Sequence, residues 1–90
     1  MPALFPLGQI SFTPGAMEVL SKPGAKFTVL LARHAMGDWG DLDDFDKAAN
    51  ADALANGDRI LSSYRVKEEK VWIITEADRK HTVMLLPEEY

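Results

Sequence analysis

Val71-Trp72-Ile73-Ile74-Thr75 opens with four apolar residues in a row, so both faces of the segment call for cover. A run this short, rich in β-branched residues and bounded by polar ones, predicts the central strand of a sheet. Its neighbours follow a period of two. Residues 59–66 put Ile60, Tyr64 and Val66 on one side and Ser63 and Arg65 on the other. Residues 81–86 put Val83 and Leu85 opposite Thr82 and Met84, and Pro87 closes the sheet. The polar links Lys67-Glu68-Glu69-Lys70 and Ala77-Asp78-Arg79-Lys80 are short, and short links join antiparallel strands.

Upstream the period is helical. Residues 1–6 carry two prolines and predict an extended lead-in. Ile10 and Phe12 alternate with Gln9 and Ser11, a short strand that either joins the sheet or stands apart. Thr13-Pro14 then starts a brief helix, with Thr as N-cap and Pro at the first helical position. Met17 and Leu20 share its expected buried face, and Lys22-Pro23-Gly24 stops it. A second helix is predicted over residues 25–36. Phe27, Leu30, Leu31, His34 and Ala35 form its apolar stripe, and Gly37 is its terminator. A third begins near Asp41 or Asp43, rival N-caps with an Asp three residues on, and ends at Gly57. Its apolar face is thin: Ala49, Ala53 and Leu54, with Phe45 at one end and Asn50 on or beside it. The whole predicts one α+β domain over residues 1–90, three short helices packed on one face of a three- to four-stranded antiparallel sheet.

Ninety residues with 47% apolar and 27% charged content describe a globular domain with a small core. The absence of Cys removes disulfides, thiolate nucleophiles and Cys-based metal centres. No apolar run approaches the roughly 20 residues of a spanning helix, and the N-terminus lacks signal-peptide character. The expectation is a cytoplasmic protein with no membrane association. The net charge of −4 is unevenly spread. Residues 1–35 carry Lys22, Lys26 and Arg33 against Glu18, and residues 59–90 are balanced. Residues 36–58 hold Asp38, Asp41, Asp43, Asp44, Asp46, Asp52 and Asp58 against Lys47 alone. Such a segment repels phosphates and favours basic partners or cations. No run of Lys and Arg marks a phosphate-binding surface, so direct nucleic-acid binding is not expected.

The junction Arg33-His34-Ala35-Met36-Gly37-Asp38-Trp39-Gly40-Asp41-Leu42 is the most distinctive stretch in the chain. Together with Leu7-Gly8-Gln9-Ile10, Arg59-Ile60-Leu61-Ser62-Ser63-Tyr64 and Trp72-Ile73-Ile74-Thr75-Glu76-Ala77-Asp78-Arg79, it resembles a family of small bacterial proteins. These are carried by plasmids and integrative elements and are labelled plasmid-related proteins. The resemblance spans nearly the whole chain and departs mainly at Lys22-Pro23-Gly24 and residues 67–70. It implies a setting on mobile DNA and no particular chemistry.

The Asp cluster does not fit a calcium loop. Asp41 and Asp43 would take the first and third positions, but Phe45 falls at the fifth and Asp46 replaces the required Gly. Helix capping accounts for most of these acids, and no metal is expected. His34 and Asp38 are spaced as a His–carboxylate pair. No Gly-x-Ser-x-Gly elbow surrounds Ser62 and Ser63, however, so a structural His34 bonded to a backbone carbonyl or to Asp38 is favoured. Asn50 is expected to fasten the 37–41 loop by pairing buried backbone groups. Trp39 and Trp72 lack basic sequence neighbours and favour packing over base stacking. Phosphate-loop, dinucleotide and zinc-protease motifs are absent, and no cofactor is expected.

The leading expectation is therefore a non-enzymatic accessory factor that binds a protein partner through an acidic surface at 38–52, with Asp38, Trp39, Asp44 and Asp52 as candidate contacts. A small hydrolase or metal-dependent enzyme using His34 and Asp38 is the alternative. A DNA-mimicking inhibitor of a host defence protein is a special case of the first.

Overall fold

Thr13 caps the first helix with its own side chain: Oγ1 accepts from the Ala16 N–H at 3.2 Å, and Pro14 follows at the first helical position. The computed structural model describes residues 3–90; Met1 and Pro2, part of the expected lead-in, lie outside them. The elements run β1 (Gln9–Phe12), α1 (Pro14–Leu20), α2 (Phe27–Ala35), α3 (Asp44–Asn56), β2 (Ile60–Val66), β3 (Glu69–Thr75) and β4 (His81–Leu85), closing on a 3-10 turn (Pro87–Glu89). This is an α+β fold.

The sheet has four strands in the order β1-β4-β3-β2, so β3 is central, as its apolar run predicts. Both hairpins are antiparallel. β1 joins the sheet but runs parallel to β4, with Gln9 opposite His81 and Phe12 opposite Met84. The sheet is thus mixed rather than wholly antiparallel. No hairpin links β1 to β4; three helices and two strands intervene, and nothing local sets their relative direction. β3 begins at Glu69, two residues earlier than its apolar run. Lys67 takes a left-handed conformation (φ 57°), which closes the hairpin in two residues and leaves Val66 opposite Glu69.

One face of the sheet carries Ile60, Tyr64, Val71, Ile73 and Met84, each 0–1% exposed. Ala16, Val19 and Leu20 of α1 and Leu30 and Leu31 of α2 pack in the same cluster. A smaller cluster joins Phe5, Trp39, Ala53 and Ile60, with Leu54 partly buried against it. Three expectations of burial need correction. Met17 is 57% exposed, and the seven-residue α1 turns Ala16 and Val19 inward instead. Phe27 is 40% exposed, edge-on to Phe12 at the margin of the core. Phe45 is 81% exposed, and Ala49 also faces solvent.

The chain ends are held without hairpins. Leu4 N–H donates to the Ala35 carbonyl at 2.7 Å, docking the lead-in on the end of α2. The Glu89 carboxylate accepts from the Thr13 hydroxyl and from the Gly15 and Leu86 N–H groups, tying the C-terminal turn to the start of α1. Those bonds, the Thr13 hydroxyl foremost, hold its pKa below the ordinary carboxylate range.

Candidate functional site

Gly40 explains why the 37–41 segment reads as it does. Its φ is 73°, and a Cβ there would stand 2.0 Å from the Ser63 carbonyl oxygen. Only glycine lets the backbone come this close. The approach produces a one-residue parallel bridge to β2: Ser63 N–H donates to the Trp39 carbonyl at 3.1 Å, and Asp41 N–H donates to the Ser63 carbonyl at 2.7 Å. The segment is a strap along the outer edge of β2. The Tyr64 hydroxyl pins it further by donating to the Asp38 carbonyl at 2.5 Å.

Asn50 covers the next stretch of that edge. Its Nδ2 donates to the Leu61 carbonyl at 2.6 Å, and its Oδ1 accepts from Leu61 N–H at 3.2 Å. The side-chain amide acts as one residue of a missing strand. Asn50 therefore fastens α3 to β2, not to the 37–41 loop as the sequence suggests, because the loop already makes its own bridge to Ser63. Unpaired edges invite other chains, so this cover is protective.

His34 sits behind the strap in a closed chain of hydroxyls. Thr82 Oγ1 donates to the Leu7 carbonyl at 2.7 Å, so Thr75 Oγ1 must donate to Thr82, also at 2.7 Å. Thr75 can then only accept from His34 Nε2–H, at 2.9 Å. His34 Nδ1 is left unprotonated and accepts from the Ser62 hydroxyl. All four side chains are 0% exposed. Burial pushes the His34 pKa down to about 4, and the Arg79 guanidinium adds to the shift. The ring also packs edge-on to Phe5 and Trp39.

The expected His34–Asp38 contact is absent. Asp38 accepts from Arg33 Nε at 2.7 Å and Nη2 at 3.2 Å, and from Gly40 N–H at 3.3 Å. The Arg33 hydrogen bond is the main reason its pKa lies below the ordinary value. Arg33 in turn lies over the Tyr64 ring, 4.7 Å from its centre. The pair fails because the chain leaves α2 through Gly37 (φ 86°), sending Asp38 outward while the imidazole stays on the inner stripe. A general base needs reach to a substrate, and this imidazole has none.

Of the four candidate contacts, Trp39 is the most enclosed. It is 9% exposed, with its indole stacked on Phe5 at 6.3 Å, so nearly all of the ring packs within the chain. Asp38 is half-exposed but engaged with Arg33. Asp44 and Asp52 are exposed on α3. Asp43 is the N-cap, accepting from Asp46 N–H at 2.8 Å, while Asp41 contributes its backbone to the strap. Among the described residues, no three carboxylates or imidazoles converge as a metal-binding group.

Three features escaped sequence reading. Phe45 stands in solvent between the acids, and the helical angle carries the signal. It lies five residues before buried Asn50, about 140° around the helix, and seven before Asp52, almost in line with it. Arg79 is more than a turn residue: its guanidinium donates to the carbonyls of Ala53, Asp58 and Glu76, clamping the end of α3 to the β3–β4 turn. Finally, Lys26, Arg65 and Lys67, scattered in sequence, line one cleft of about 320 Å³ between α2 and the β2–β3 turn. The expectation that cations form no cluster holds for the sequence but not for the surface.

Comparison with family models, with curated proteins and with solved structures found no match. No helix among the described residues is long and apolar enough to cross a membrane.

Proposed function

We propose that this chain is an accessory protein-interaction factor that recognises its partner through the outward face of α3, with Asp44, Phe45 and Asp52 as the contacts. One observation carries the reading: a phenylalanine is 81% exposed on a helix whose neighbouring outward residues are acids and alanines. Exposure of this ring does nothing for the fold, since burying it would be worth about 1.5–3 kcal/mol. Aromatic side chains, Phe among them, are enriched at protein interfaces, which carry a polar rim. A fitting partner offers an apolar pocket with a basic rim. The sign of the face disfavours direct contact with nucleic-acid phosphates. The resemblance to plasmid-related proteins supports a bacterial, mobile-element setting in the cytoplasm.

Affinity capture from a bacterial host, followed by mass spectrometry, tests the reading. The wild-type chain should retain a protein that Phe45→Ala and the double variant Asp44→Lys/Asp52→Lys lose. The on-rate of that protein should fall as salt rises, because long-range steering is screened. Equal capture by all three chains would move the functional surface away from α3.

A further inference from the structure

We propose that a second copy of this chain is a partner of the α3 face: Phe45 of one copy enters the α2/β2–β3 cleft of another, with Asp44 and Asp52 facing its cations. The proposal rests on the reading of α3 as the interaction face and names an occupant for the cleft as well.

The two surfaces match in shape class and in charge. The cleft has an apolar floor of Ala25, Val29 and Val66 and a rim of Lys26, Arg65 and Lys67, with no acid among the residues that line it. Neither ion pair among the described residues, Arg33–Asp38 and Arg59–Glu76, involves those three cations. Val29 on the floor is 50% exposed. A volume of about 320 Å³ is at the small end of ligand pockets, the scale of one aromatic ring and its flanks.

Each surface also carries residues that do nothing for its own copy. Lys26 is the N-cap of α2, makes no capping bond, and places a cation where the helix dipole favours an anion; no acid occupies the first turn. An incoming Asp44 or Asp52 would supply the missing negative charge. Phe45 is likewise idle in its own fold. The cleft opens where protection of the β2 edge ends, since Asn50 covers Leu61 and the strap covers Ser63 but the next outward residue is Arg65. Charge complementarity, polarity and the unprotected end of the edge therefore point to the same contact.

Self-association of the full chain, followed by sedimentation velocity over a wide concentration range, tests this with two exposed-site variants. Phe45→Ala lacks the inserted ring, and Arg65→Glu lacks the receptive rim. Circular dichroism melts check that both fold. The wild type should gain mass with concentration, and each variant should weaken association by roughly tenfold or more. An equimolar mixture should regain a one-to-one complex, because the Arg65→Glu chain keeps its ring and the Phe45→Ala chain keeps its cleft. A wild type that stays monomeric throughout, variants that associate as the wild type does, or a mixture that stays monomeric would each overturn the proposal. A monomeric wild type that still captures a host protein through Phe45 would end this inference and leave the reading of α3 standing. Self-association with Phe45-independent host capture would do the reverse.

Discussion

His34 Nε2 donates to Thr75 Oγ1 at 2.9 Å, one link in a hydroxyl chain from Ser62 to Thr82 whose direction is set by the carbonyl acceptor at its far end. The chain ends on the Leu7 carbonyl, just before β1, so one histidine on α2 links β2, β3, β4 and the N-terminal segment. His34→Ala would leave the Ser62 and Thr75 hydroxyls without partners and open a cavity. We expect a loss of about 3 kcal/mol or more in denaturant unfolding. Nitrogen-15 shifts should show a neutral ring protonated at Nε2; a protonated Nδ1 would reverse the assigned order of donors.

The same histidine gives the fold an acid sensitivity. In the unfolded chain its pKa is the ordinary 6.5, and in the fold it is about 4. Between those values the unfolded chain binds more protons, so stability falls as pH falls. The contribution is complete above pH 6.5 and is lost progressively down to pH 4, amounting to about 3 kcal/mol at most. Unfolding curves of wild type and His34→Gln at pH 7, 5.5 and 4 provide the check. The wild type should lose more stability over this range; parallel losses would place the acid sensitivity in other groups.

Gly40→Ala tests the strap. The added methyl group meets the Ser63 carbonyl, and the left-handed backbone adds strain, so a cost of at least about 2 kcal/mol is expected. Amide exchange at Ser63 and Asp41 should speed up together. Trp39→Ala should cost about 3–5 kcal/mol, in the range of large aromatic truncations. An unchanged denaturant midpoint for both variants would show the strap to be dispensable.

Asn50→Ala exposes the Leu61 edge groups and should cost about 1–3 kcal/mol. Asn50→Asp should be worse at neutral pH, because a carboxylate replaces the donor that faces the Leu61 carbonyl. Hydrogen exchange reports the Asn50→Ala change directly: the Leu61 amide should lose protection while Ser63, held by the strap, keeps it.

Asp43 and Asp41 separate cleanly. Asp43→Ala removes the cap on Asp46 N–H and should cost about 0.5–2 kcal/mol. Asp41→Ala keeps the backbone bridge to Ser63 and should stay within about 0.5 kcal/mol of wild type. The opposite order in thermal melts would move the start of α3.

What the amino-acid sequence determined here is whatever depends on residues a few positions apart. Thr13 and Gly57 mark helix ends because a cap is a bond, or a backbone conformation, within one turn; the choice of Asp43 over Asp41 needed the fold. The hairpins of residues 60–85 follow from alternation and short links, which leave antiparallel pairing as the route available. Asn50 and His34 were legible as inward-facing polar residues, since both lie on the apolar stripe of a helix. Their partners were not legible: Leu61 lies 11 residues beyond Asn50, and Ser62 and Thr75 lie 28 and 41 beyond His34. The tertiary structure alone decided the parallel seating of β1 on β4 and the gathering of Lys26, Arg65 and Lys67 around one cleft. Each of these is a juxtaposition of segments whose separation in sequence carries no periodic signal, and only the packing of α2 and the strap against the sheet brings them together.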